Sequence, residues 1–182
     1  MRFAFLALAA AAIGCGTNGA IHVTITDDPV AGTVQKLILT VNEIRVHDDG
    51  DASSSTGDTG ATADGATGSG WIVLCTDVQT FDLLTLNNGV NLALCGDKQE
   101  SVPTGHISQI RLGVQSAQLV TDTGTQDLKV PSGPQSGMKI DVNQDVAKDQ
   151  TLEIKLDFVA SESLVQQGNG DWTLKPVLKV LP

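Results

Sequence analysis

Ile21-His22-Val23-Thr24-Ile25-Thr26-Asp27-Asp28-Pro29 opens the stretch that decides the fold, and Leu37-Ile38-Leu39-Thr40-Val41-Asn42-Glu43-Ile44-Arg45-Val46-His47 closes it. Ile21, Val23 and Ile25 alternate with His22, Thr24 and Thr26, the period of a half-buried β-strand. Asp27-Asp28-Pro29 breaks that strand: two short acids able to bond nearby backbone precede a ring that fixes φ and lacks an N–H. The second segment carries Leu37, Leu39 and Val41 on one face, with Ile44 and Val46 one residue out of phase. A β-bulge near Asn42-Glu43 would return both apolar sets to the same face. The two segments read as a hairpin on which the rest of the chain packs.

Beyond His47 the punctuation stays that of a β protein. Trp71 to Cys75 reads as a short buried strand. Phe81, Leu83 and Leu84 suit a helical turn, with Thr80 as its N-cap and Asn88-Gly89 as its stop. Ser101 to Gly105, with Pro103, reads as a loop. Ile110, Leu112 and Val114 alternate with Gln109, Arg111 and Gly113, and Ala117 and Leu119 resume out of phase, which predicts a second bulge near Gln115-Ser116. Leu128 and Val130 run into the turn Pro131-Ser132-Gly133-Pro134, and Met138, Ile140 and Val142 follow. Leu152, Ile154, Leu156 and Phe158 against Glu153, Lys155 and Asp157 predict a strand with one wet face. The last strand holds Trp172, Leu174, Leu178 and Val180 on one face, interrupted by Pro176, which favours an edge or a bulge. Many short strands and at most one short helical turn predict an all-β fold: an antiparallel Greek-key β-sandwich, transthyretin-like or carbohydrate-binding-like.

The totals exclude some functions. A formal net charge of −10 repels phosphate backbones, so nucleic acid is not an expected partner. Aromatic residues are 3% of the chain and Tyr is absent, a poor supply of stacking platforms. Trp71, Trp172 and four Phe are what remains, and the phase of Trp172 points it into the core. Contact with an envelope protein or polymer therefore ranks above sugar binding.

Residues 1–14 read as an address. Arg2 is a minimal positive region, and Phe3 to Ile13 is an apolar run too short to span a bilayer. Ala12-Ile13-Gly14-Cys15 resembles the box of bacterial lipoprotein signals, in which small residues precede a cysteine that is acylated and becomes the mature N-terminus. The resemblance implies lipidation of Cys15, a short tether over residues 15–19, and a lipid-anchored envelope protein. Gly16 rather than Asp after the cysteine implies the outer membrane in a Gram-negative cell. More than one acyl chain makes such anchoring stable. Cleavage removes Arg2, so the formal charge of −10 becomes −11. A single β-sandwich domain is expected over residues 20–182.

With Cys15 acylated, Cys75 and Cys95 are left as an even pair in an oxidising compartment, and a disulfide between them is expected. A metal site would need ligands at short spacing such as C-x-x-C, and none occurs. His22, His47 and His106 lie far apart, and no cofactor is expected. Residues 48–70 form a low-complexity acidic insert with no apolar side chain larger than Ala before Trp71, read as a disordered surface loop. Its acids do not match an EF-hand; a looser calcium site at Asp48, Asp49 or Asp51 ranks below simple solvation.

Thr26-Asp27-Asp28-Pro29, Ile44-Arg45-Val46-His47, Phe81-Asp82-Leu83-Leu84, Gln109-Ile110-Arg111-Leu112, Val130-Pro131-Ser132-Gly133 and Leu174-Lys175-Pro176-Val177 together resemble, in order, the bacterial and archaeal family known as domain of unknown function 4382. The resemblance implies a β-rich envelope domain and supplies no catalytic residue. There is no G-x-S-x-G, and the three His and scattered carboxylates form no triad in sequence. Asp28, His47 and Arg111 stand out as a possible polar site, against plainer roles as turn cap, strand end and surface ion pair. The expected function is that of a non-catalytic binding or structural module. A calcium-stabilised or carbohydrate-binding adhesion module is the alternative, and an envelope hydrolase ranks last.

Overall fold

The computed structural model describes residues 18–28, 33–49, 70–130, 137–168 and 170–182. Cys15 and the signal segment, Pro29, Asp51 with residues 50–69 of the insert, and Pro131 to Pro134 lie outside the described residues.

The strands are β1 (Asn18–Asp27), β2 (Val34–Asp48), β3 (Trp71–Cys75), β4 (Gln79–Asp82), β5 (Leu92–Leu94), β6 (Glu100–Pro103), β7 (Gly105–Thr121), β8 (Gly124–Leu128), β9 (Met138–Val146), β10 (Thr151–Phe158), β11 (Leu164–Gln166), β12 (Trp172–Leu174) and β13 (Leu178–Leu181). Two short helical turns join them: a 3-10 turn at Leu83–Thr85 and α1 (Ala160–Ser163). The fold is all-β, as expected. A five-stranded sheet runs β13-β10-β1-β5, with β6 also on β1. A six-stranded sheet runs β3-β2-β7-β8, with β4 also on β2 and β9 also on β7. All pairs are antiparallel except β1 with β10, which run parallel from Ala20↔Thr151 to Asp27↔Phe158.

The hairpin expectation is corrected. β1 and β2 belong to different sheets, so the chain passes from one sheet to the other after β1 rather than turning back beside it. Both strands bury one face, Ile21, Val23 and Ile25 on β1, and Leu37, Leu39, Val41, Ile44 and Val46 on β2, in one core cluster. Alternation is satisfied equally by a neighbour in the sheet or by a strand facing it across the core.

Both bulges stand where the phase slips. Thr40 pairs with Ser116 and Val41 with Val114, leaving Gln115 extra; Glu43 then pairs with Gly113, leaving Asn42 extra. Each extra residue lets the apolar set return to the core. Four local readings are revised. Asp82, not Thr80, caps the 3-10 turn: its side chain accepts from the Leu84 N–H at 3.2 Å, while Thr80 pairs with Thr40 across β4 and β2. Pro103 ends β6, which pairs with β1, where a loop was expected. β3 lies at a sheet edge, so Val73 is 47% exposed and Leu74 is its buried residue. The run from Trp172 to Val180 divides at Pro176 into β12, paired with β11, and β13, at the edge of the five-stranded sheet. Trp172 is then only partly buried: it packs on the core and also lines a surface recess of about 410 Å³.

Cys75 and Cys95 form a disulfide with Cα atoms 5.6 Å apart. It ties the end of β3 in one sheet to the end of β5 in the other. The C-terminal ribbon is docked by side chains acting as backbone. Gln126 donates to the Trp172 carbonyl and accepts from the Trp172 N–H, both at 3.1 Å. Ser163, fully buried, donates to the Val159 carbonyl at 2.8 Å and accepts from the Val177 N–H at 2.9 Å, so its burial leaves nothing unsatisfied.

Candidate functional site

β2 enters the six-stranded sheet with Glu43, Arg45 and His47 pointing away from the core, because Ile44 and Val46 fill the other face. Cross-strand pairing sets the rest of that outer surface. Arg45 lies between Val73 and Arg111, and Arg111 lies between Arg45 and Lys139. The next row is Trp71, His47, Gln109 and Asp141. The sequence-predicted residues His47 and Arg111 therefore meet on one face, and Trp71 joins them. The Arg111 guanidinium carbon sits 3.8 Å from the Trp71 ring centroid. The His47 ring meets the same indole edge-on, with centroids 4.9 Å apart. Such a cation–π contact is worth about 0.5–1 kcal/mol at an exposed site and fixes the planar groups relative to one another.

Around this platform the polar side chains are tied in pairs. Arg45 bonds Glu43 at 2.7 Å, and Gln109 donates to Asp141 at 3.0 Å. His47 Nδ1 lies 2.6 Å from Asp49 and 3.1 Å from Ser108 Oγ. The Ser108 hydroxyl bonding to Asp49, with the His47 charge beside it, holds that carboxyl below its usual range. His106 bonds Asp145 at 2.7 Å, and this hydrogen bond, with the charge behind it, raises the imidazole above its usual value. At the hairpin base, Asp48 N donates to the Gly70 carbonyl at 2.7 Å. A Cβ on Gly70 would lie 2.1 Å from the Asp48 carbonyl oxygen, so the strands approach there only because the side chain is missing.

Ser108, His47 and Asp49 are the residue types of a hydrolase triad. In a triad the carboxylate holds one ring nitrogen and the nucleophile meets the other. Here Asp49 and Ser108 both address Nδ1, so no proton path runs from the serine through the ring to the acid.

Asp28 is not part of this cluster. It follows β1 in the other sheet and lines an open recess of about 620 Å³ with Thr26, Asp27, Lys155 and Asp157. Beside it is a residue that the sequence reading missed as a site. Asp27 is 3% exposed; its Oδ1 accepts from the Ala160 N–H at 3.1 Å, and its Oδ2 is buried with no hydrogen-bond partner among the described residues. Burial, with Asp157 and Asp28 nearby, pushes its carboxyl up to about 7. Asp157, predicted on a wet face, is itself buried and likewise raised, by burial first and by Asp28 second. The signal for Asp27 was present: it continues the inward phase of Ile21, Val23 and Ile25.

Of the acids considered for calcium, Asp48 ends β2, Asp49 follows it and Asp51 lies outside the described residues. Among the described residues no three His, Cys, Asp or Glu side chains are grouped to hold a metal ion. Among those residues, too, no helix is long and apolar enough to cross a membrane.

A sequence model of the family described as Domain of unknown function (DUF4382) matches residues 18–176. No curated protein matches the chain.

Proposed function

The chain belongs to the DUF4382 family, and from that premise we propose that it is a non-catalytic recognition module of the cell envelope, held by lipid on Cys15. Its contact surface is the outer face of the six-stranded sheet. One observation carries this reading: Trp71 is held between Arg111 and His47 on the outer sheet face, an aromatic set among guanidinium and amide donors. Aromatic and arginine side chains supply most of the energy at protein recognition surfaces. The placement of Ser108 and Asp49 on one nitrogen of His47 supports the non-catalytic part. The anchor rests on Ala12-Ile13-Gly14-Cys15.

The test uses the full chain made without its lipid by Cys15→Ser. The soluble protein is co-sedimented with the insoluble envelope fraction of its own cell. Retention is expected to fall on Trp71→Ala and on Arg111→Gln, and to be unchanged by Lys155→Gln on the opposite sheet. Retention indifferent to the first two substitutions would refute the assigned surface. Turnover of ester, amide or glycoside substrates that disappears on His47→Ala would refute the non-catalytic role.

A further inference from the structure

We infer that the outer face of the six-stranded sheet binds a carboxylate-bearing polysaccharide, a polymer of uronic acids, through Arg45, Arg111, Lys139 and Trp71. This rests on the surface assigned above and adds the chemistry of its occupant.

Among the described residues, a row of cations on this face is only partly matched by carboxylates. Register places Arg45 opposite Arg111 and Arg111 opposite Lys139, three cations in line across β2, β7 and β9. Neighbouring strands are about 4.8 Å apart, and like charges directly opposite destabilise a sheet. Among the described residues the one carboxylate ion-paired with this row is Glu43, on Arg45. The Nε atoms of both Arg45 and Arg111 are buried and have no hydrogen-bond partner among those residues. A guanidinium carries five donors in a fork that fits a carboxylate. A row of this kind in a chain of formal charge −10 is what an anionic ligand would complete.

The adjoining row says what separates the carboxylates. Trp71 is partly buried with the Arg111 guanidinium over its ring, and the Gln109–Asp141 pair offers amide and carboxylate partners for hydroxyl groups. These suit sugar rings. Nucleic acid would bring a dense phosphate charge against Glu43, Asp49, Asp141 and Asp145 around the platform. Uronates carry single charges on neutral rings and meet less of that repulsion. An acidic peptide added as a strand would use backbone groups at a sheet edge, whereas these cations stand on the face.

The experiment is affinity electrophoresis of the soluble Cys15→Ser chain through gels containing polygalacturonate, alginate, dextran or poly-glutamate. Retardation is expected with polygalacturonate or alginate, weakened at least tenfold by Arg111→Gln and also by Arg45→Gln and Lys139→Gln. The last residue is exposed, so its replacement keeps the test valid where the arginine variants fold poorly. Lys155→Gln is expected to leave retardation unchanged. Equal retardation by dextran would show that charge is not read, and equal retardation by poly-glutamate would favour an acidic polypeptide; either overturns the inference. Absence of retardation by both uronate polymers overturns it too. Envelope retention still sensitive to Trp71→Ala would then show that the surface was right and its occupant wrong.

Discussion

Replacing Asp27 by Asn should stabilise the protein, and the gain should grow with pH. Asp27 is buried at the end of β1 and accepts from the Ala160 N–H, and its Oδ2 has no partner among the described residues. Its carboxyl is pushed from 3.8 up to about 7, chiefly by burial and then by the charge of Asp157. Because the folded value lies above the unfolded one, the folded state holds a proton that the unfolded state releases between those two pH values. Stability therefore falls as pH rises from about 4 to about 7 and levels off above. The difference is about 3 pH units, and each unit is about 1.4 kcal/mol, so the ceiling is about 4 kcal/mol. Water entering the adjoining recess lowers that figure. Asn keeps the oxygen that Ala160 needs and carries no charge. Urea unfolding of both proteins at intervals from pH 4 to pH 8.5 measures the difference directly. The two stability curves should nearly meet near pH 4 and separate through pH 7, with the variant above. His106, whose imidazole is raised by Asp145, is common to both proteins and cancels in the difference. Parallel curves, or a variant less stable at pH 8, would refute the reasoning.

Other expectations follow from other parts of the molecule. Replacing Cys75 and Cys95 together by Ser should cost about 3 kcal/mol for a closure of 20 residues, and non-reducing peptide mapping should recover the two peptides linked. His106 should titrate above 6.5 by NMR and fall back in Asp145→Asn; its contribution to stability is fully present below 6.5 and lost as pH rises through the raised folded value, so a midpoint at or below 6.5 in the unaltered chain would contradict the pairing. Deleting residues 53–68 should leave the melting temperature within a few degrees, because Asp48 and Gly70 already meet and His47 pairs with Trp71 at the stem; a large drop would show that the segment contributes to the core. Cys15→Ser should move the protein from the membrane fraction to the soluble one, and continued membrane retention would refute the lipid anchor.

What the sequence could disclose here was which face each strand turns inward. Period-two alternation does that residue by residue, and a slip in phase marks a bulge. Asn42 and Gln115 stand where the phase slips, and both are skipped in the pairing of β2 with β7, as Gln35 and Ser108 are nearer the ends of that pairing. Alternation does not say which strand lies beside which. β1 and β2 follow one another in the chain and yet belong to separate sheets, while one lateral partner of β1 is β10, about 130 residues on by its pairing of Ile21 with Leu152. The outer-face site depends on just that information. Arg45 and Arg111 are each visible as polar residues in an apolar strand, but nothing local makes them neighbours. Once β2 and β7 are known to pair, the two bulges become informative together. Between Leu39 and Arg45 each strand carries one extra residue, so the offsets cancel: Leu39 faces Ala117 before these two bulges, and Arg45 faces Arg111 after them. A single bulge would set Arg45 against Ile110 or Leu112, whose side chains are buried, and inward and outward faces would clash across the pair. The two slips that keep the core continuous are therefore the same two that bring the arginines side by side, and the charge row on the surface is built by the packing beneath it.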